Sequence, residues 1–440
     1  MTHRYTPVIV FTALAACLAG CDPSGQTPCE PACEQGLSCD TDSGECRAPR
    51  LSLYEHTLPG RSMRLAAVGE RVIAAAIDPD SDELLVGEFD TTEAGVGESR
   101  FFVLAQLGRS QHKKIAMAAS ESTVATAWLA DDDSYRIGLY RADDPAERWR
   151  VLPPITAERA DYRGSEHFDV SINDSGRIQL VFHDRRRRIL RRLSGRAEDD
   201  TWQADTIDDP SEEDDASVCS SQQRRLASRG VGYFPDVAID SGATFVAYQD
   251  GDCADLRLAR RIDGEWVASV IDTGDFDKKT SDDALTPGQT GQFASVGFDS
   301  RGNLAIAYQD AGRGRLMVAF EHEGQFSIEE ADAGYALDTA SRNRKHLVGG
   351  FASLIFDDDD IAWVAYLDQT TSRLRLAKRT RELDLGGDWV RQTVDAPGPT
   401  GYSASLVNTG ERGLFVGTEH LQPQAGGLAS SLQFFDEEAF

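Results

Sequence analysis

One phrase recurs along this chain every 51 to 66 residues, and a chain that repeats itself at that period must stack copies of one supersecondary unit around a shared core. The clearest copies are FPDVAIDSGATFVAYQD (234–250), FASVGFDSRGNLAIAYQD (293–310) and FASLIFDDDDIAWVAYLD (351–368). Each closes on an acid. The equivalent acids are Asp78, Asp131, Asp184, Asp250, Asp310, Asp368 and Glu419, at spacings of 53, 53, 66, 60, 58 and 51 residues. The first two copies and the last are degenerate, and their regular placement is what identifies them.

Each copy reads as four strands. The first is short and apolar, as in 294–298. Asp299-Ser300-Arg301-Gly302 follows, residues that favour tight reversals. The second strand, 303–309, is rich in side chains that fit a pleated surface. The third alternates: Leu256 and Leu258 share a face that Arg257 and Arg260 leave, the half-buried pattern. The fourth opens on an aromatic and ends in an apolar–Asp pair, as in 266–272 and 389–395. No stretch carries a helical period.

Four antiparallel strands repeated radially describe a β-propeller. The sequence therefore predicts an all-β, seven-bladed propeller over 51–440. The seventh copy supplies only three strands, and a segment before the first repeat, 51–58, is expected to close its blade and leave no open sheet edge. The copies run apolar-Ser-Val, Asp-x-x-Gly-Asn, Ile-Ala-Tyr-x-Asp, Leu-x-x-Ala, Gly-x-Trp/Phe and Val/Ile-Asp. This string resembles the repeats of bacterial propellers grouped with sialidase-like (BNR-type) proteins. The resemblance implies the fold. The Asp-box of true sialidases is absent, and the Asp-x-x-Gly turns here fall between strands one and two.

The front of the chain has a different character. Residues 1–20 read as a lipoprotein signal: Arg4, an apolar run over 8–18, then Leu18-Ala19-Gly20-Cys21, a full lipobox. The resemblance implies acylation of Cys21, and two or three chains at about 0.8 kcal/mol per buried methylene would anchor stably. The expected site is the bacterial cell envelope, with the outer membrane or cell surface preferred and the periplasmic face of the inner membrane the alternative. Residues 21–50 form a Cys-rich stalk in which Cys29, Cys33, Cys39 and Cys46 are expected to form disulfides, since export permits them. Three pairings are open. Cys219 and Cys253 are expected to bond across two loops on one face of the fourth blade.

The chain holds 73 acidic and 45 basic side chains, a net charge of −28, which repels nucleic acid and excludes it as a partner. An arginine run from Arg185 to Arg196 faces an acidic stretch over 198–215 and reads first as a solvated, self-compensating hairpin.

The closing acids Asp184, Asp250, Asp310 and Asp368 are the leading site candidates. With Tyr248, Tyr308 and Tyr366 two residues before the last three, they would ring the central channel as ligand-binding groups. The competing reading has each carboxylate accept backbone N–H bonds and brace a loop. Arg342, Arg344 and His346 sit on a long loop suited to gripping a ligand. Asp78, Asp80 and Asp82 have the alternate-carboxylate spacing that suits calcium, without the glycine and glutamate of an EF-hand; no other cofactor is expected. Nucleophile elbows, zinc-binding His pairs, phosphate loops and dinucleotide fingerprints are missing, so no catalytic residue is assigned. The functional expectation is a lipid-anchored envelope module that binds a glycan or an envelope protein. The alternative is a sialidase-like hydrolase or lyase working at the central face.

Overall fold

A computed structural model describes residues 38–40, 45–47, 56–59 and 61–434, apart from 79–80, 93–94, 108–113, 145–147, 156–161, 211–229, 275–288, 338–343, 381–387, 395–397, 411–412 and 425–426. The described residues form antiparallel four-stranded sheets and one small hairpin, with no α-helix. The inner strands are Arg61–Val68, Ile115–Ala119, Phe168–Ile172, Val231–Asp240, Gln292–Phe298, Val348–Phe356 and Tyr402–Asn408. Each packs on the next, and the last packs on the first, so they close a ring.

Six sheets are blades built from four consecutive strands. The expectation of a seven-bladed propeller is corrected to six self-contained blades. The remaining four-stranded sheet is a composite: Tyr402–Asn408, Leu414–Gln424 and Gly427–Phe434 are completed by His56–Pro59 from the front of the chain. The described part of the closing strand overlaps the end of the expected 51–58, and residues 51–55 lie outside the described residues. Its register sets His56 opposite Leu432 and Pro59 opposite Ala429. The blades are numbered below by their inner strands, starting at Arg61–Val68.

The core lies between blades. One cluster joins Leu180 and Phe182 of the third blade to Ala127 and Ile137 of the second; another joins Leu376 of the sixth to Leu406 and Val416 of the composite sheet. This position explains the sequence pattern. Second strands such as Leu304–Asp310 and Ala362–Asp368 are buried along their whole length, because a neighbouring blade covers each face. They therefore read as unbroken apolar runs, and each fully buried Val, Leu or Ile adds about 1.5–3 kcal/mol. Fourth strands lie on the outside and alternate, as Gln325–Asp332 does.

The third strand departs from the expected half-burial. Arg257 does not leave for solvent: it is 3% exposed and lies between blades. Near the front of the chain, Ser38–Asp40 pairs with Glu45–Arg47, setting Cys39 opposite Cys46. Cys21, Cys29, Cys33 and Cys219 lie outside the described residues; Cys253 is buried and disulfide-bonded.

Candidate functional site: a charged central cavity

The inner strands enter the ring with a shared irregularity. Register skips between Arg61 and Arg64, Tyr233 and Asp236, Gln292 and Ser295, Gly350 and Ser353, and Tyr402 and Ser405. Within each skip one non-glycine residue takes a positive φ: Ser62 (57°), Phe234 (48°), Phe293 (51°), Phe351 (52°) and Ser403 (52°). Bulky side chains rarely adopt that backbone. A bulge of this kind re-aims a side chain, and all five line a central cavity of about 410 Å³. The rings of Phe234 and Phe293 are 4.6 Å apart and those of Phe293 and Phe351 4.7 Å, while His167 lies 4.9 Å from Phe234. One side of the mouth is thus an aromatic arc, and the other carries Ser403, Ser62 and Lys114.

Two residues further in, the equivalent positions are Arg64, Asp169, Asp236, Ser295, Ser353 and Ser405. Five of these brace the ring by accepting a backbone N–H from the next blade. Val237 donates to Asp169 (2.9 Å), Val296 to Asp236 (2.7 Å), Leu354 to Ser295 (3.0 Å), Leu406 to Ser353 (2.9 Å) and Leu65 to Ser405 (3.0 Å). Losing one such buried acceptor costs about 1–2 kcal/mol. Ser295→Ala is expected to lower stability by that amount in a denaturant titration. A midpoint unchanged from the parent would show that the ring does not brace the blades.

Arg64 sits in the series where the other five copies offer an acceptor, and it donates instead, to the carbonyls of Met63 (3.0 Å) and Ser403 (3.4 Å). Lys114 donates to the carbonyl of Phe168 at 2.7 Å. Arg64, Lys114, Asp169 and Asp236 each keep some surface open to the cavity while lying deep in the ring. Burial lowers Arg64, and it lowers Lys114 to about 8. Burial also raises Asp169, and it raises Asp236 to about 8, with the neighbouring charge of Asp169 adding to the effect.

The candidates read from the sequence lie elsewhere. None of Asp184, Asp250, Asp310 and Asp368 lines the cavity. Each is buried at the end of a second strand and braces backbone. Asp184 accepts from the N–H of Arg163 and Arg186, Asp250 from Asp252 and Cys253, Asp310 from Gln289 and Arg313, and Asp368 from Thr370 and Thr371. Tyr248, Tyr308 and Tyr366 are fully buried between blades. Each hydroxyl donates to the acid that ends the fourth strand of the preceding blade: Asp208, Asp272 (2.7 Å) and Asp332 (2.8 Å). His346 is buried, with Nδ1 2.6 Å from Asp368, while Arg344 is exposed and Arg342 lies outside the described residues. Asp78 accepts from Ser81 in a turn that includes Asp82; Asp80 lies outside the described residues. No three His, Cys, Asp or Glu among the described residues are grouped to hold a metal ion.

The cavity residues were missed because they break the repeat. Aligned on strand one, three copies have Ser where three others have Arg64, Asp169 or Asp236, and a repeat that gains charge at one inward position is the signal that marks them.

No protein-family model matches the chain, and no curated protein matches it. Solved structures do. The BP39L lectin from Burkholderia pseudomallei superposes with a TM-score of 0.54 at 12% identity, over 86% of this chain and 99% of that one. The polysaccharide lyase Uly1 gives 0.51 at 9% identity, over 89% of this chain and 92% of that one. A leech intramolecular trans-sialidase gives 0.42 at 10% identity, over 86% of this chain and 67% of that one. At such identities, what the chain shares with the first two is the β-propeller fold.

Proposed function

We propose that this chain is a lipid-anchored propeller of the cell envelope, held on the bilayer through acylated Cys21, whose central cavity binds a glycan without altering it. The observation that carries the reading is the cavity itself: about 410 Å³, with an aromatic arc on one side and open hydrogen-bonding groups beneath it. That size falls within the usual range for small-ligand sites. Ring faces pack on the apolar faces of sugars, and carboxylates, serines and cations meet hydroxyls. A cavity of this kind suits a saccharide better than the surface of an envelope protein.

A glycan-active reading has one specific support. Asp169 and Asp236 line the same cavity and burial raises both, Asp236 to about 8, the direction that lets a carboxyl serve as a general acid. Against it, each carboxylate already spends an oxygen on the N–H of the next blade, the duty that serine performs elsewhere in the ring.

Full-length protein in detergent micelles, applied to a glycan array, is expected to retain a restricted set of glycans. Asp236→Asn should weaken retention at least tenfold, and prolonged incubation should release no new reducing ends. An array without any retained glycan rejects the reading. Turnover that Asp236→Asn abolishes replaces it with the hydrolase or lyase.

A further inference from the structure

The charges of the cavity are sorted by sector. Its first two blades contribute Arg64 and Lys114, the next two contribute Asp169 and Asp236, with Glu166 at the entry to the third, and the remaining inner strands contribute Ser295, Ser353 and Ser405. Among the described residues, none of Arg64, Lys114, Asp169 and Asp236 forms an ion pair within 4.0 Å. Opposite charges sharing a cavity normally collapse onto one another. Here backbone contacts hold them apart: the Val237 and Val296 N–H groups pin the two carboxylates, the Phe168 carbonyl pins Lys114 and the Ser403 carbonyl pins Arg64. Hydrogen-bonding capacity remains to spare, including two N–H donors on Lys114 and one oxygen on Asp236.

Building on the glycan reading, we propose that the cavity recognises a zwitterionic saccharide unit, an amino sugar that also bears an anionic group. Its ammonium sits against Asp169 and Asp236, and its anionic group against Arg64 and Lys114. A purely anionic sugar would satisfy the cations but would press against Asp169. A purely cationic sugar would meet Arg64. A neutral sugar would leave each desolvated sector only the distant charges of the other, which compensate burial incompletely. Only a ligand carrying both signs in fixed positions compensates both sectors. The arc of Phe234, Phe293 and Phe351 borders the acidic sector, and ring faces attract an ammonium. The directions in which Lys114 and Asp236 are displaced, each toward its neutral form, agree with buried charges that no ion pair within 4.0 Å compensates.

Titration calorimetry on the full-length protein in micelles tests this with four probes: glucosamine 6-phosphate, glucose 6-phosphate, glucosamine and glucose. The first is expected to bind at least tenfold tighter than any other. Lys114→Met should remove its advantage over glucosamine, and Asp236→Asn its advantage over glucose 6-phosphate. Glucose 6-phosphate or glucosamine binding as tightly as the zwitterion overturns the inference and leaves the glycan site standing. Silence from all four probes also overturns it, and the glycan array then decides separately whether the cavity is a glycan site. Should a variant fail to fold, the order of the four probes on the parent protein is decisive by itself.

Discussion

Replacing Arg375 by alanine is expected to cost the fold about 3–5 kcal/mol. The side chain is 2% exposed and lies between the fifth and sixth blades. One guanidinium nitrogen reaches Asp332 at 2.8 Å and the other reaches Asp368 at 2.6 Å. Asp332 closes the fourth strand of the fifth blade and also accepts from the Tyr366 hydroxyl at 2.8 Å, while Asp368 braces the turn after Tyr366. Removing the arginine leaves two buried carboxylates with one compensating charge fewer, and that penalty exceeds the net worth of the ion pairs themselves. The fold contains its own control. At the position equivalent to Arg375 the fifth blade has Met317, opposite Tyr308, and Tyr308 still donates to Asp272. Arg375→Met combined with Asp332→Asn should therefore recover much of the loss. Urea titrations of parent, single and double variants measure both steps. An Arg375→Ala midpoint within experimental error of the parent would show that the latch holds nothing.

This latch marks the boundary of what the sequence disclosed. The repeat made the four-stranded unit legible because each second strand is buried on both faces and so stays apolar through Ala305, Ile306 and Ala307. The bracing role of the closing acids was legible too, since hairpin register places Asp310 beside the loop that enters strand one. The place of the tyrosines was not. Tyr308 pairs with an acid 36 residues earlier, in another blade, and no spacing within a single copy encodes that contact. Arg257 misled for the same reason: alternation sends it off the leucine face, and only the presence of the third blade turns that direction into an interface with Asp208 at 2.7 Å. The cavity needed still more. Periodicity cannot show that strand one skips register at Phe234, so it cannot show which side chain turns inward.

Asp236→Ser is expected to stabilise the protein, and by an amount that grows with pH. In the folded state burial and the charge of Asp169 raise the Asp236 carboxyl from an ordinary 3.8 to about 8. The unfolded chain releases that proton near pH 4, whereas the folded chain retains it. Between about pH 4 and pH 8 the native state therefore holds more protons than the unfolded one, and stability falls as pH rises across that window, levelling off above it. A shift of this size corresponds to several kcal/mol at about 1.4 kcal/mol per pH unit, reduced here to roughly 2–3 kcal/mol because the group keeps surface open to the cavity. Serine removes the titrating group and keeps the acceptor, since Ser295, Ser353 and Ser405 receive the same N–H from the next blade. The variant should match the parent at pH 4, exceed it by about 2–3 kcal/mol at pH 8.5, and relax Asp169 toward the ordinary carboxylate range. Denaturant midpoints across pH 4–9 give both curves, and parallel curves would mean that Asp236 titrates as it does in water. That three copies of the repeat already carry serine, while Asp236 and Asp169 retain carboxylates at a cost, is what a binding site looks like in a stability ledger. The more stable serine variant should accordingly be the one that no longer holds the amino group of its ligand.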